Sequence, residues 1–273
     1  MLNSILSRAA RGLLLVPLLV ACGRQAQVSS PAARAGAPPA QSISVSDGES
    51  LVRAMHAKYA GRLFKTLTFV QRTTLFSASG SPMEQSWYQA LSLPGRLRID
   101  YGNPEAGNGM LFRADSSYQF SGGRMARTAS GWNELLVLGF DVYVQPPEVT
   151  ISILRSLGFQ MSRMRGASFD GRSVWVIGAT SVSDTTSKQF WVDRDRLVLV
   201  RMMEKRPEGR RTDIRFGDFV ATGNGWVPKQ VYQLVDGQTR VHEQYSNIKA
   251  DVPLDSALFD PKQWGAVKHW SKP

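Results

Sequence analysis

From residue 65 onward the chain keeps returning to one pattern: short runs in which apolar and polar residues alternate, broken by Gly, Pro, Ser or Asn. Alternation of that period puts successive side chains on opposite faces of a strand, so each run predicts a strand with a buried face. KTLTFVQRTTLF, EQSWYQALSL, GRLRIDY, GMLFRA, SSYQFS and GRMART make a first set, and RSVWVIGAT, SKQFWVD, RLVLVRMMEK, RTDIRFGDFV, GWVPKQVYQLV and TRVHEQYSNI a second. Turn chemistry such as Asp170-Gly171, Asn224-Gly225 and Asp236-Gly237 separates them. Roughly a dozen strands in meander order predict one large antiparallel sheet. In GRLRIDY, Leu97, Ile99 and Tyr101 alternate with Arg96, Arg98 and Asp100, which predicts a buried face and a wet one. Val174-Trp175-Val176-Ile177 and Leu197-Val198-Leu199-Val200 are apolar at both parities, so the sheet is expected to be buried on both faces there.

Three segments change to a helical pattern. Asp47 and Glu49 lead into LVRAMHAKYA, a capped helix that turns Leu51, Val52, Met55 and Tyr59 toward a core and ends at Gly61. PPEVTISILRSLG carries Pro147 and Glu148 in its first turn and Gly158 past its end. GWNELLVLGF holds Leu135, Leu136, Leu138 and Phe140 with almost no charge, so it must be covered. A sheet with one apolar face needs a layer on it, and the expected architecture is mainly β, an antiparallel sheet curled around these helices.

The first 46 residues follow a different logic. Arg8 and Arg11 precede an apolar stretch, Leu13 to Val20, that is too short to span a bilayer core of ~30 Å and is interrupted by Pro17. Leu19-Val20-Ala21-Cys22 resembles a bacterial lipobox, with a small residue and the chain's only cysteine at one junction. The expectation is a lipoprotein signal peptide over 1–21, an acylated Cys22 opening a flexible linker over 22–46, and a folded domain over 47–273. Acyl chains contribute ~0.8 kcal/mol per buried methylene, so several on one cysteine anchor a protein firmly. The linker, rich in Ala, Pro, Gly, Ser and Gln, has an r.m.s. span of ~27 Å. Gly23 stands where Asp would retain a lipoprotein at the inner membrane, so the expected location is the outer membrane, lipid-anchored and facing the periplasm.

Composition narrows the chemistry. With 42% hydrophobic and 20% charged residues the chain is globular rather than disordered. One cysteine and three scattered histidines, His56, His242 and His269, offer no zinc or iron–sulfur motif, and no cofactor is implied. Gly166-Ala167-Ser168-Phe169-Asp170-Gly171 misses the spacing of a nucleophile elbow and sits at a β-turn. His242 beside Glu243 reads as a solvated strand pair, and no enzyme is expected. The net charge of +11 includes a cluster around Pro207-Glu208-Gly209, with Lys205, Arg206, Arg210 and Arg211, that suits a hairpin tip in water or an anionic membrane surface. Export removes the chain from nucleic acid.

Phe69-Val70-Gln71, the Gly80 turn, Leu93-Pro94-Gly95-Arg96-Leu97-Arg98, Asn103-Pro104 and the closing Asp255-x-Ala257-x-Phe259-x-Pro261 resemble the LolA/LolB-like lipoprotein carriers and receptors over most of 47–264. The resemblance implies an unclosed half-barrel whose apolar concave face lies under a helical lid, a cavity for acyl chains of lipoproteins or other envelope lipids. Two positions depart from the prototypes. Leu93 stands where the carriers have arginine, and the loop 102–107 offers only Ala106 where the receptors present a large apolar residue. Phe69, Trp87, Leu97, Ile99, Tyr101, Phe112, Tyr118, Phe120, Leu135 and Leu138 are the residues expected to line the cavity. The function this implies is lipid binding in lipoprotein sorting or outer-membrane biogenesis. An envelope structural or stress-sensing lipoprotein that binds proteins or peptides is the alternative.

Overall fold

The computed structural model describes residues 44–77 and 81–271. The signal peptide, Cys22 and nearly all of the linker lie outside the described residues. Among the described residues, no helix is long and apolar enough to cross a membrane.

Helix α1 (Gly48–Tyr59) begins at Asp47, whose side chain accepts the Ser50 N–H at 2.8 Å while the Ser50 hydroxyl answers the Asp47 N–H. The reciprocal bonds satisfy donors that a helix start otherwise leaves open. Val45, just before it, already packs against the core. A first run of strands follows: β1 (Thr66–Leu75), β2 (Met83–Ser92), β3 (Arg96–Tyr101), β4 (Gly109–Arg113), β5 (Ser116–Ser121) and β6 (Arg124–Ser130). Next come α2 (Glu134–Gly139) and α3 (Pro147–Ser156), joined through a single tight turn at Asp141–Tyr143. The second run is β7 (Met164–Phe169), β8 (Arg172–Ile177), β9 (Gln189–Asp193), β10 (Leu199–Lys205), β11 (Arg211–Thr222), β12 (Gly225–Val235) and β13 (Gln238–Ala250).

All thirteen strands form one antiparallel sheet in the order β6-β5-β4-β3-β2-β1-β13-β12-β11-β10-β9-β8-β7. The expected meander is therefore two meanders, and the last strand pairs with the first: Val70 lies opposite Ser246 and Thr73 opposite Glu243. The sheet ends at β6 and β7 and does not close. Since α2 and α3 connect those two edge strands, this segment has to cross from one end of the sheet to the other, and it does so over the concave face. Leu136 of α2 joins Phe64, Phe69, Leu91 and Leu97 in one apolar cluster. α1 packs Leu51, Val52 and Met55 with Ile151 and Leu154 of α3 and with Ile177 of β8. Arg53–Glu148 and Arg155–Glu49 pairs bridge the two helices on their outer side.

The convex face differs from expectation. Arg98 and Asp100 are 3% and 0% exposed. The segment after β13 folds back over β3–β5 and places Leu258, Phe259 and Trp264 against Ala90, Leu111 and Phe120. Period two correctly separates the two faces of β3, but the face carrying Arg98 is dry because a strap from more than 150 residues downstream covers it. Gly109 makes room for that strap: a Cβ there would lie 2.1 Å from the Ile99 carbonyl oxygen and 2.8 Å from the Trp264 ring. At the other end of the sheet the convex face is closed by Trp191 of β9, with Arg201 stacked over it at 4.6 Å and Phe169 edge-on at 5.7 Å. That cover accounts for the burial of Val174 and Val176 on this face, while Ile177 is buried on the other beneath α1.

Candidate functional site

Between the lid and the concave face lies a cavity of about 220 Å³. Its floor is built by strand alternation. Cross-strand partners share a face, so the register Gln71↔Trp87, Phe69↔Gln89 and Leu97↔Phe112 brings these six side chains to the same side. Val231, Phe216 and Phe219 arrive from the other half of the sheet, and Trp226 and Leu199 close that wall. The roof follows helix geometry: Leu135, Leu136, Gly139 and Phe140 line the cavity, the i, i+1, i+4, i+5 set of one helical face.

Of the residues expected from sequence, Phe69, Trp87, Leu97, Ile99, Phe112 and Leu135 line this cavity. Tyr101 stays on the concave side but packs on Trp87 with ring centroids 4.6 Å apart, beyond the cavity wall, where burial pushes its hydroxyl up to about 12. Tyr118 and Phe120 stand on the convex side, because Tyr118 pairs with Leu111, whose side chain points away from that of Phe112. Phe120 stacks flat on Trp264 at 4.2 Å. Leu138 turns to the packed core shared by α1 and α3 and is fully buried. Trp175 lies under the Arg194 guanidinium at 3.5 Å, away from the cavity.

The wall is not uniformly apolar. Along β1 the concave face changes from Leu67 and Phe69 to Gln71 and Thr73, and along β2 from Leu91 to Gln89, Trp87 and Gln85. β13 contributes Glu243 and Tyr245, and β12 contributes Gln233. The Tyr245 hydroxyl donates to Glu243 Oε2 at 2.7 Å and Gln233 Nε2 donates to Oε1 at 3.0 Å. The Gln89 amide donates to Gln71, which donates to Thr73 at 2.8 Å. Burial raises the Glu243 carboxyl above the usual carboxylate range, and the two hydrogen bonds oppose this only in part. His242, its neighbour in sequence, points to the other face, where it stacks on Tyr232 at 4.4 Å, so the expected solvated pair is split by the sheet. Glu243, expected in solvent, is buried on the cavity wall, and Tyr245 and Gln233 were not among the expected site residues, yet the parity of residues 241, 243 and 245 against the core carried the signal.

The lid is capped within itself and pinned to the rest of the fold at two places. Asn133 caps α2 by accepting the Leu135 and Leu136 N–H groups at 3.0 and 3.1 Å. Asp141 Oδ1 accepts the Gly95 N–H at 2.8 Å, tying the lid to the β2–β3 turn, and burial pushes its carboxyl up to about 6. The Lys188 ammonium pairs with Glu134 at the start of α2. Among the described residues, no group of three His, Cys, Asp or Glu is placed to hold a metal ion.

No family model matches the chain. No curated protein matches it either. Solved structures do match in fold. A domain assigned to outer membrane lipoprotein sorting, from Vibrio parahaemolyticus, superposes with a TM-score of 0.55 over 80% of this chain and 98% of its own, at 13% identity. A DUF1329 family protein from Desulfovibrio piger gives 0.53 over 78% and 95%, at 14% identity. A LolA superfamily protein from Nitrosomonas europaea gives 0.50 over 76% and 96%, at 11% identity.

Proposed function

From its LolA-like fold, a thirteen-stranded open sheet under a helical lid, we propose that the chain is a binding protein of the cell envelope that holds acyl chains of lipoproteins or other envelope lipids. The observation that carries this reading is the cavity, where apolar side chains of lid and sheet face each other across open space. Interiors are otherwise packed to crystal-like density, and a void of this kind forfeits contact energy unless something fills it. An acyl chain would fill it at about 0.8 kcal/mol per buried methylene. The Vibrio neighbour's description as a lipoprotein-sorting domain supports the same reading. Cys22 would anchor the chain, Gly23 would direct it to the outer membrane, and the linker would hold the domain near that bilayer on its periplasmic side. The exposed tip between β10 and β11, with Lys205, Arg206 and Arg210, would meet anionic headgroups at about 1 kcal/mol per base.

Mass spectrometry of the full chain purified without detergent tests the cavity. Lipid released on solvent extraction is the expected result, and an interior that yields none and takes up no apolar fluorophore would overturn the reading. Membrane fractionation tests the anchor: wild type in the outer membrane and Cys22→Ser lost from it is expected, and wild type recovered as free soluble protein would refute it.

A further inference from the structure

Glu243 has no place in a site built for acyl chains alone. It is 92% removed from solvent on the cavity wall (8% exposed), and among the described residues no Lys, Arg or His forms an ion pair with it. Of the other three carboxylates buried to that degree, Asp100 is clasped by Arg98 and Asp193 is paired with Arg172, while Asp141, which takes only the Gly95 N–H, is not part of the cavity lining. In a chain with 33 Lys and Arg, a cavity carboxylate facing only neutral partners is a specific arrangement. Its two donors, Tyr245 and Gln233, come from its own strand and the neighbouring one and fix its orientation. A carboxylate offers roughly four acceptor positions, so two remain for an incoming group. Gln71 and Gln89 extend the polar patch beside it, while Phe69, Leu97 and Phe112 keep the rest of the wall apolar.

Resting on the cavity reading above, we infer that the occupant is an amphiphile carrying a protonated amine beside its apolar chain, and that Glu243 receives the amine. The ammonium would supply the missing counter-charge and charge-assisted hydrogen bonds inside a low-dielectric site, where such bonds are strong. A phosphate or carboxylate headgroup would instead meet the Glu243 charge and the lone pairs of the glutamine amides. The raised proton affinity of the Glu243 carboxyl agrees with a carboxylate whose cation is brought by the ligand.

Displacement of the neutral fluorophore N-phenyl-1-naphthylamine from the full chain, at about 0.15 M salt to screen surface charge, compares dodecylamine, dodecanol and dodecanoate. The expected order in wild type is amine tighter than alcohol by roughly tenfold or more, and alcohol tighter than carboxylate. Glu243→Gln keeps the shape and should erase the amine's advantage, read as the ratio of dodecylamine to dodecanol affinity falling to about one. If all three probes bind and the amine has no advantage, or the carboxylate binds tightest, the inference is wrong and the cavity reading stands. If neither the fluorophore nor any probe binds, the cavity reading falls and takes the inference with it. The wild-type order decides the matter even if the variant does not fold.

Discussion

The guanidinium of Arg98 grips the carboxylate of Asp100 through two hydrogen bonds of 2.8 Å, on a sheet face that solvent does not reach. Trp264 covers the guanidinium at 3.9 Å, and His269 Nε2 lies 3.1 Å from the same carboxylate. Burial alone would raise the Asp100 carboxyl, but the hydrogen bonds from His269 and Arg98 outweigh it and hold it below the usual range. A depressed carboxylate stabilises the fold above its unfolded pKa, and the contribution disappears as pH falls through the folded value. Removing one partner leaves a buried charge unpaired, so Arg98→Met should cost about 3–5 kcal/mol. Arg98→Met with Asp100→Leu should recover much of that loss. Urea denaturation of the three proteins at neutral pH checks both statements.

Asp141 works in the opposite sense. Its carboxyl is raised from 3.8 to about 6 by burial. The folded state therefore binds this proton more tightly than the unfolded chain, and stability falls as pH rises from about 4 through about 6. The full penalty, on the order of 3 kcal/mol, is present at pH 7. Asn at this position cannot ionise, and its Oδ1 can still accept the Gly95 N–H. Asp141→Asn should therefore be more stable than wild type at pH 7 by about 2–3 kcal/mol and no more stable below pH 4. Other raised carboxyls, Glu134 and Glu243, are common to both proteins, so the difference between the two pH–stability profiles isolates Asp141.

Much of this architecture was legible in the chain. Period-two runs marked the strands, caps and flanking glycines marked the helices, and the uncharged stretch at Leu135–Phe140 marked a covered lid. The pairing of β1 with β13 was not legible, because nothing local to either strand names a partner some 170 residues away. The same gap explains the site residues. Phe112 and Phe120 are equivalent as sequence, two aromatics in neighbouring strands, and only the register Leu111↔Tyr118 puts Phe120 on the convex side. Leu138 sits about 60° round the helix from Leu135, on the side away from Leu136, Gly139 and Phe140, so it falls off the cavity face into the α1–α3 core. Arg98 and Asp100 alternated like a wet face, and no pattern within β3 could reveal a strap arriving from residues 254–270.

That division gives a paired test of Phe112 and Phe120. Phe120 is 4% exposed and stacked on Trp264, so Phe120→Ala empties a packed contact and should cost about 3–5 kcal/mol with little change in the uptake of an apolar probe. Phe112 borders open space, and Phe112→Ala should cost less in stability while changing probe affinity by severalfold. Thermal melts alongside fluorophore titrations separate the two. Equal stability losses with unchanged binding in both would mean that Phe112 is ordinary core.

Ile99 offers the sharpest distinction between a cavity and a packed core. It stands on the concave face of β3 with its side chain against the void, opposite Met110 in the β4 register and opposite Gln89 in β2. Enlarging a side chain in a filled interior forces neighbours off their rotamers and costs about 1–3 kcal/mol. Enlarging one beside an empty volume of about 220 Å³ adds contacts instead. Ile99→Trp should therefore leave the urea midpoint unchanged or raised, because the indole grows into space that no protein atom occupies. The same indole would take up the room an acyl chain needs, so affinity for an apolar fluorophore should fall by roughly tenfold or more, the worth of about two buried methylenes. The two readouts move independently only if the space is real: a destabilised Ile99→Trp chain would show that the side chains of lid and sheet already meet there.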